Sequence, residues 1–549
     1  MSDRITLPAD SNQALGLGQF AVDFMSSGPG RGEPDATVLE RTNMFHTDAV
    51  LCGISAVALG TNAPTVLRNE ALQYRVGPAG HGTMGGVMGS ANSPAKRGGA
   101  PVFGSNLDVA VEKAILANCC AVREWDSNGT NFGYSAERPH HRAGEFGHND
   151  FYSVPVAAAQ LMGRDGEYAL RGMVLLDEIR GRLAEVFSLK TYKIDHVVHG
   201  AIASAATFGA MMGATPAQIE SAIGMVVAHA IPFRAIRAGH QLSDSKGASA
   251  AISTEFAIVA MKRSMAGFIG PKDIFRNPEA IWCLFEGKAK NDEAIKKGKK
   301  SPFDLILSRA GNHFTVMGMH FKLGLYEHQS AGALQGLIDL LRKHPSLLSS
   351  RGEPGDRIQK MVVRAYEPAF GIIGDPHKRD PHTRQSADHS MLYLVCTKLR
   401  KALELHRVHG EQQLGHRLDW KELMLLPHDF DKSAIFHPVT RNLMEKMTFE
   451  WGGPDYDAKY PDGIPTSIVI TDDSGTTADS GLVMYPAGHA RNITADLKDI
   501  LNHKWKKLGA LAVEKPEAVI KQISSLQSKS AKDVAGLYDF EVLSRGTFE

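Results

Sequence analysis

Residues 196–212 read His-Val-Val-His-Gly-Ala-Ile-Ala-Ser-Ala-Ala-Thr-Phe-Gly-Ala-Met-Met, a stretch crowded with Ala, Gly and Ser. Side chains this small let helical backbones approach closely, so the stretch calls for a tightly packed helical core. Gly213-Ala-Thr215-Pro216 closes it and opens the next element. Thr215 suits an N-cap and Pro216 the first helical position, after which Ile219, Ile223, Val226 and Val227 recur at helical spacing. Further helices are predicted from Val38 to Leu59, from about Leu107 to Trp125, and from Gly166 through Val186.

The chain changes character after about residue 290. The charge run Lys288–Lys300 reads as a solvated boundary segment. Met361–Tyr366 alternates like a strand. Thr466–Thr471, the turn Asp472-Asp-Ser-Gly475 and Gly481–Tyr485 read as a hairpin. Helices at 325–343, 386–406 and 437–447 intervene, and the last 55 residues return to helical periodicity. The pattern is therefore helical to about 300, mixed α and β to about 486, and helical again.

A length of 549 residues exceeds one ordinary core, so two or more domains are expected. A formal net charge of +1 gives no global attraction to nucleic acid or anionic membrane, so an anionic ligand needs a local cluster of cations. No run approaches a membrane span in length. The N-terminus carries early acids and no apolar segment of the secretory kind. The five cysteines form no Cys-x-x-Cys pair, which argues against zinc ribbons and common iron–sulfur spacings and fits a reducing compartment. A cytoplasmic protein is expected.

The glycine-rich stretch 79–105 has no Gly-Lys-Ser/Thr step and reads as a connecting loop; no Gly-x-Ser-x-Gly elbow is present. Pro139-His140-His141-Arg142 places two histidines side by side in a polar loop, which is poor metal-ligand spacing. Asp388-His389 before an apolar helix reads as an ordinary capping pair. Asp126, Thr130, His148, His196 and Lys246 form a more informative set: an acid, a hydroxyl, two imidazoles and an ammonium within about 120 residues. Imidazoles move protons near neutral pH, and a fixed cation holds an anionic substrate.

Several segments together carry a resemblance. They are Trp125-Asp126…Thr130, Lys193-Ile-Asp-His196-Val, Ser243-Asp-Ser-Lys246, Tyr326-Glu-His-Gln-Ser330, Gly374-Asp-Pro…Ala387-Asp-His-Ser-Met-Leu-Tyr393 and Tyr485-Pro-Ala-Gly-His-Ala-Arg491. In this order they resemble the MmgE/PrpD family, over about residues 35–500. The family's aspartate and threonine fall on Asp126 and Thr130, its helix histidine on His196, its lysine on Lys246 and its tyrosine on Tyr393. Its other histidine falls on His148. Tyr134 to Gly144 look inserted before that position, Asn149 stands where the family has proline, and His140 and His141 are rivals for the role. The family also often carries an acid where this chain has Gly129.

The resemblance implies a mainly α fold: a large all-helical domain built from both chain ends, with a smaller α+β domain inserted. The expected cuts are 1–305, 306–486 and 487–549. It further implies a metal-independent hydro-lyase, without cofactor, dehydrating a hydroxy-tricarboxylate such as 2-methylcitrate. Asp126, His148, His196 and Lys246 would be catalytic, and Thr130, Arg384 and Tyr393 would contact the substrate. Decarboxylation or epimerisation of a related polycarboxylate is the alternative, and a non-catalytic binding role the third reading. A homodimer whose partner is a small polycarboxylate, not nucleic acid or membrane, is expected.

Overall fold

The computed structural model describes residues 3–77, 89–90, 93–94, 96–237, 241–374, 376–414 and 417–548. Residues 79–88, 91, 92 and 95 of the glycine-rich stretch 79–105 lie outside the described residues. Helix outweighs strand 52% to 9%, which makes the protein mainly α with a small α+β insert.

The helical part is built around Val197–Met211, which packs against Gln13–Met25, Ser153–Met162, Gly166–Val186, Pro216–His229 and Asp244–Met265. Its small residues explain this crowding of neighbours. A Cβ on Gly200 would lie 2.0 Å from Cζ of Phe151, so that ring can seat against the helix only because the position is glycine. Thr215 caps Pro216–His229 through a full capping box with Gln218, as its spacing from Pro216 foretold.

The chain end returns to this body. Helix Leu497–Ala512 packs on Ala36–Ala58, where Lys504 Nζ sits 2.8 Å from Asp48 Oδ1 and Trp505 Nε1 donates to the same oxygen at 2.9 Å. Lys504 Nζ also donates to the carbonyls of Ser127 and Lys322. Helix Leu497–Ala512 thereby fixes two backbone segments that carry site residues.

The insert holds a four-stranded sheet in the order Met447–Trp451, Ile358–Ala365, Thr466–Asp472, Thr477–Asp479. The first pair is parallel and the other two antiparallel. Helix Ala331–Lys343 covers Thr466–Asp472, and Met391–His409 packs behind that helix. The hairpin differs from expectation. Gly475, at φ +83°, lets the chain reverse at once, and the return strand is Thr477–Asp479. Of the segment 481–485, Val483 makes only an isolated bridge to Thr466.

Several short ladders escaped the periodicity analysis, two of them at the N-terminus. Arg4–Leu7 pairs antiparallel with Leu305–Ser308, and Glu33–Pro34 pairs parallel with Ala310–Gly311. The first runs across the expected 305/306 cut and ties it to the N-terminus. Strands this short carry too little alternation to stand out from loop sequence. No single helix among the described residues is long and apolar enough to cross a membrane.

Candidate active site

Helix Val111–Arg123 ends just before Trp125-Asp126. Asp126 lies in the left-handed region at φ +48°, which short polar side chains tolerate better than others, and its N–H returns to the Arg123 carbonyl. This turn buries the Asp126 carboxylate completely, in contact with Arg123 and Lys322. Lys246 Nζ stands 3.7 Å away and His389 Nδ1 3.2 Å. Burial raises the proton affinity of the carboxyl, but Arg123, Lys322, His389 and Lys246 outweigh it and hold Asp126 well below the usual carboxylate range.

Thr130–Asn131 pairs antiparallel with Gly147–His148, and Thr130 lies directly opposite His148. The inserted residues loop out between these two rungs. His148 therefore returns to the same place relative to Thr130 whatever the loop does. Within the loop, His141 is buried with Nδ1 2.8 Å from Glu185 Oε2, and His140 is exposed. Neither rival lines the cavity that His148 reaches.

His196 immediately precedes helix Val197–Met211, and its ring meets that of His148 edge to face. Asp195 beside it is engaged by Arg237, with Nε to Oδ2 at 2.5 Å, and its Oδ1 lies 3.5 Å from His196 Nδ1. Among the described residues, neither ring nitrogen of His196 and not Nδ1 of His148 has a hydrogen-bond partner. Burial drives both imidazoles well below their ordinary pKa; Arg123 and Lys322 add to this at His148, and Arg237 and Arg234 at His196, where Asp195 opposes it. Both rings are therefore neutral bases at neutral pH. Buried polar atoms without partners are uncommon, and here they face a cavity.

Lys246 sits in the first turn of Asp244–Met265, 2% exposed, with Nζ 2.6 Å from Asp388 Oδ1. Burial lowers its pKa against the pull of Asp388 and Asp126. Asp388 and His389 do not cap the following helix, as the sequence suggested. Ser390 does so, its side chain accepting from the Tyr393 N–H. Asp388 instead bridges Lys246, Arg384 and His389, with Oδ1 2.6 Å from His389 Nδ1. Burial, then Lys246, lowers the His389 pKa to about 3 against both aspartates, so the ring is neutral and donates Nδ1–H to Asp388.

Arg123, Phe146, His148, His196, Arg234, Arg237, Leu242, Lys246, Glu327, Gln329, Ile372, Lys378 and His389 enclose a cavity of about 30 Å³. Five of these are cations and one is a carboxyl, so the lining favours a multiply charged anion even with Asp126, Asp195 and Asp388 behind it. A larger cavity of about 340 Å³ is lined by Asn131, Phe132, Arg138, Arg182, Glu185, His313 and others. It holds none of His148, His196 and Lys246, and Glu178 and Glu185 already pair with its Arg182. The smaller cavity is the one that gathers His148, His196 and Lys246.

Three expected contacts lie outside its lining. The Thr130 hydroxyl donates to the Gly147 carbonyl at 3.0 Å, and the Tyr393 hydroxyl to the Asp429 carbonyl at 2.5 Å. Arg384 pairs with Glu124 at 2.5 Å and Asp388 at 3.4 Å. Conversely, Arg123, Arg234, Lys322, Glu327 and His389 went unnoticed as site residues. Arg123 was findable, standing three residues before Asp126 on a helix, and Lys322 and Glu327 lie in or beside the quoted Tyr326–Ser330 segment. Asp126, Asp388 and His389 bring donor atoms within 4.8 Å of one another. Arg123, Lys246 and Lys322 already neutralise these carboxylates, so the donor set does not suit a divalent ion.

Residues 33–293 match the family model described as the MmgE/PrpD N-terminal domain. The match spans 261 of the 549 residues, and this part of the chain is similar to that family. The chain is similar to 2-methylcitrate dehydratase of Escherichia coli (strain K12), 23% identical over 367 residues, which cover 64% of this chain and 67% of that protein. It is similar to the mitochondrial 2-methylcitrate dehydratase of Yarrowia lipolytica, 25% identical over 329 residues, or 58% of this chain and 55% of that one. It is also similar to the 2-methylcitrate dehydratase of Salmonella typhi, 22% identical over 433 residues, or 77% and 79% of the two chains. The MmgE/PrpD match contains Asp126, His148, His196 and Lys246 and stops before Glu327 and His389.

Proposed function

We propose that this protein is a hydro-lyase of the MmgE/PrpD family that dehydrates a hydroxy-tricarboxylate such as 2-methylcitrate by side-chain acid–base catalysis. The observation that carries this reading is the meeting of two buried, neutral imidazoles, His148 and His196, in a cavity lined by five cations. The relatives' names agree with it.

In this scheme a neutral imidazole takes the proton from the carbon beside a carboxylate, and Lys246, Arg123 and Arg234 stabilise the negative charge that develops. Asp126 and Asp388 hold Lys246 and His389 in place, and Thr130 and Arg384 position neighbouring backbone and carboxylates. No metal is required, because the cations supply the charge a Lewis acid would otherwise bring. The enclosed space of about 30 Å³ has room for a water or two, so a tricarboxylate enters only when the helical and α+β walls part. The domain cuts at 305/306 and 486/487, residence in the cytoplasm and a homodimer belong to the same proposal. The exposed Phe233, Phe268 and Ile269 supply apolar surface for self-association, which sedimentation would test.

The purified protein is to be incubated with 2-methylcitrate, citrate and cis-aconitate. Ultraviolet absorbance reports a new conjugated double bond, and released carbon dioxide reports decarboxylation. Carbon dioxide without dehydration would replace this reading with the decarboxylase one. No turnover of any of the three would end it.

A further inference from the structure

The site described above has bases in plenty and lacks an evident acid. His148, His196 and His389 are all neutral at neutral pH, so none carries the extra proton that a departing hydroxyl needs. The ammonium of Lys246 is committed to Asp388, and that of Lys322 to Asp126.

We infer that Glu327 is the proton donor to the leaving hydroxyl. It lines the same cavity as the imidazoles and is 8% exposed. Its backbone holds it there: the Glu327 N–H donates to the Asp388 carbonyl at 2.9 Å, beside the Lys246 pair. One carboxyl oxygen, Oε2, accepts from the Gln329 N–H at 2.8 Å. The other, Oε1, makes no hydrogen bond among the described residues and is open to the cavity, the arrangement a protonated carboxyl needs to present its hydrogen outward. The charged and titratable groups near it are Asp126, Lys322, Lys378 and the phenols of Tyr366 and Tyr460, and His148, His196, Lys246 and His389 line the same cavity. Burial and Asp126 push its pKa up to about 7, against Lys322, the Gln329 N–H and Lys378. A carboxyl with that affinity holds a proton near neutral pH and releases it readily.

The inference rests on the dehydratase reading, and the step balances without a further reactant. An imidazole nitrogen takes the carbon-bound proton, and the C–H electron pair becomes the new C=C bond. The C–O bond breaks with its pair on oxygen, which takes the Glu327 proton and leaves as water. The imidazolium then returns its proton through solvent to the Glu327 carboxylate.

The test uses full-length Glu327→Gln and Glu327→Asp with 2-methylcitrate in H2O and D2O. Expected is a loss of dehydration of about 10²-fold or more in Glu327→Gln, while exchange of the carbon-bound hydrogen with D2O persists. Glu327→Asp should recover part of the rate, with the alkaline fall in turnover moved to lower pH. That pH shift decides the matter even where Glu327→Gln does not fold, and a purely structural residue would not produce it. Exchange and dehydration falling together, an unmoved pH limb, or an unaffected Glu327→Gln would overturn the inference while leaving an active wild type, and so the dehydratase reading, intact. An inactive wild type overturns both.

Discussion

The imidazoles of His148 and His196 meet with ring centroids 5.3 Å apart and planes at 63°, although they reach the cavity from unrelated local structures. His148 arrives on the end of a two-residue strand and His196 at the start of a helix. The pair therefore depends on the Thr130–His148 rung on one side and on the packing of Val197–Met211 on the other.

Replacement of either ring should be costly. His196→Ala and His148→Ala are each expected to lower turnover by about 10²-fold or more, with circular dichroism unchanged. His141→Ala should spare turnover and instead cost stability, because it leaves Glu185 without its imidazole partner. Silent His148→Ala with crippling His140→Ala or His141→Ala would refute the assignment.

Lys246→Met is expected to raise KM and to lower kcat, since the ammonium serves both bound substrate and developing charge. It also leaves Asp388 buried with Arg384 and His389 alone, a change that costs about 3–5 kcal/mol of stability when a buried pair is broken. The double variant Lys246→Met, Asp388→Asn should regain part of that loss in a denaturant titration. Equal or greater loss would show that the two groups do not act as a pair.

Activity should survive exhaustive chelation. Of the three convergent ligand-type residues, Asp126 and Asp388 are engaged with ammonium and guanidinium groups, and His389 Nδ1 is engaged with Asp388. Loss of turnover in chelator, restored by iron, zinc or magnesium, would contradict the side-chain scheme.

Stability should fall on mild acidification. Among the described residues, His46, His148, His196, His199, His320, His328, His389 and His489 are buried with pKa values lowered chiefly by burial. A histidine lowered in the folded state contributes stability that is complete above its unfolded pKa and is lost as pH falls towards the folded value. The unfolded chain takes up these protons below about pH 6.5, each worth up to about 1.4 kcal/mol per pH unit. Buried carboxyls with raised values, including Asp48, Glu145, Asp150, Asp177 and Glu327, work in the opposite sense but are fewer. Thermal midpoints measured from pH 7.5 down to about 5 should drop steadily. A flat profile would contradict the burial of these rings.

Gly129→Asp, which puts an acid just before Thr130, should not be tolerated here. A Cβ at residue 129 would stand 2.4 Å from Cε1 of Phe45, which is stacked on Phe321 with centroids 3.7 Å apart. Displacing that stack should cost about 1–3 kcal/mol, readable as a lower denaturation midpoint. An unchanged midpoint would mean that Phe45 has somewhere else to go.

Much of the helical body was legible in the sequence because helices declare themselves over many residues. Gly166–Val186 was bounded correctly, and the Thr215-Pro216 cap fell where its chemistry required. Val197–Met211 was found through its small residues. The ladders at Arg4–Leu7 and Leu305–Ser308 were illegible because four residues display no period. Of the residues that line the candidate site, those standing in a distinctive local frame, such as His196 and Lys246, were legible. Glu327 and His389 were missed because their environments are made by distant segments: Asp388 turns towards Lys246, 142 residues away in sequence, and Glu327 is held by the Asp388 carbonyl. Local sequence cannot distinguish a capping acid from one recruited into such a network.

The Thr130–His148 rung has a consequence for how this chain can change. Everything between the two rungs is topologically a side branch, and its length can grow or shrink without the imidazole being carried along. The added residues Tyr134, Arg138 and their neighbours face the 340 Å³ cavity and not the one lined by His148 and His196. Variation in the branch is thus channelled to the larger cavity, away from the residues that gather around His148 and His196.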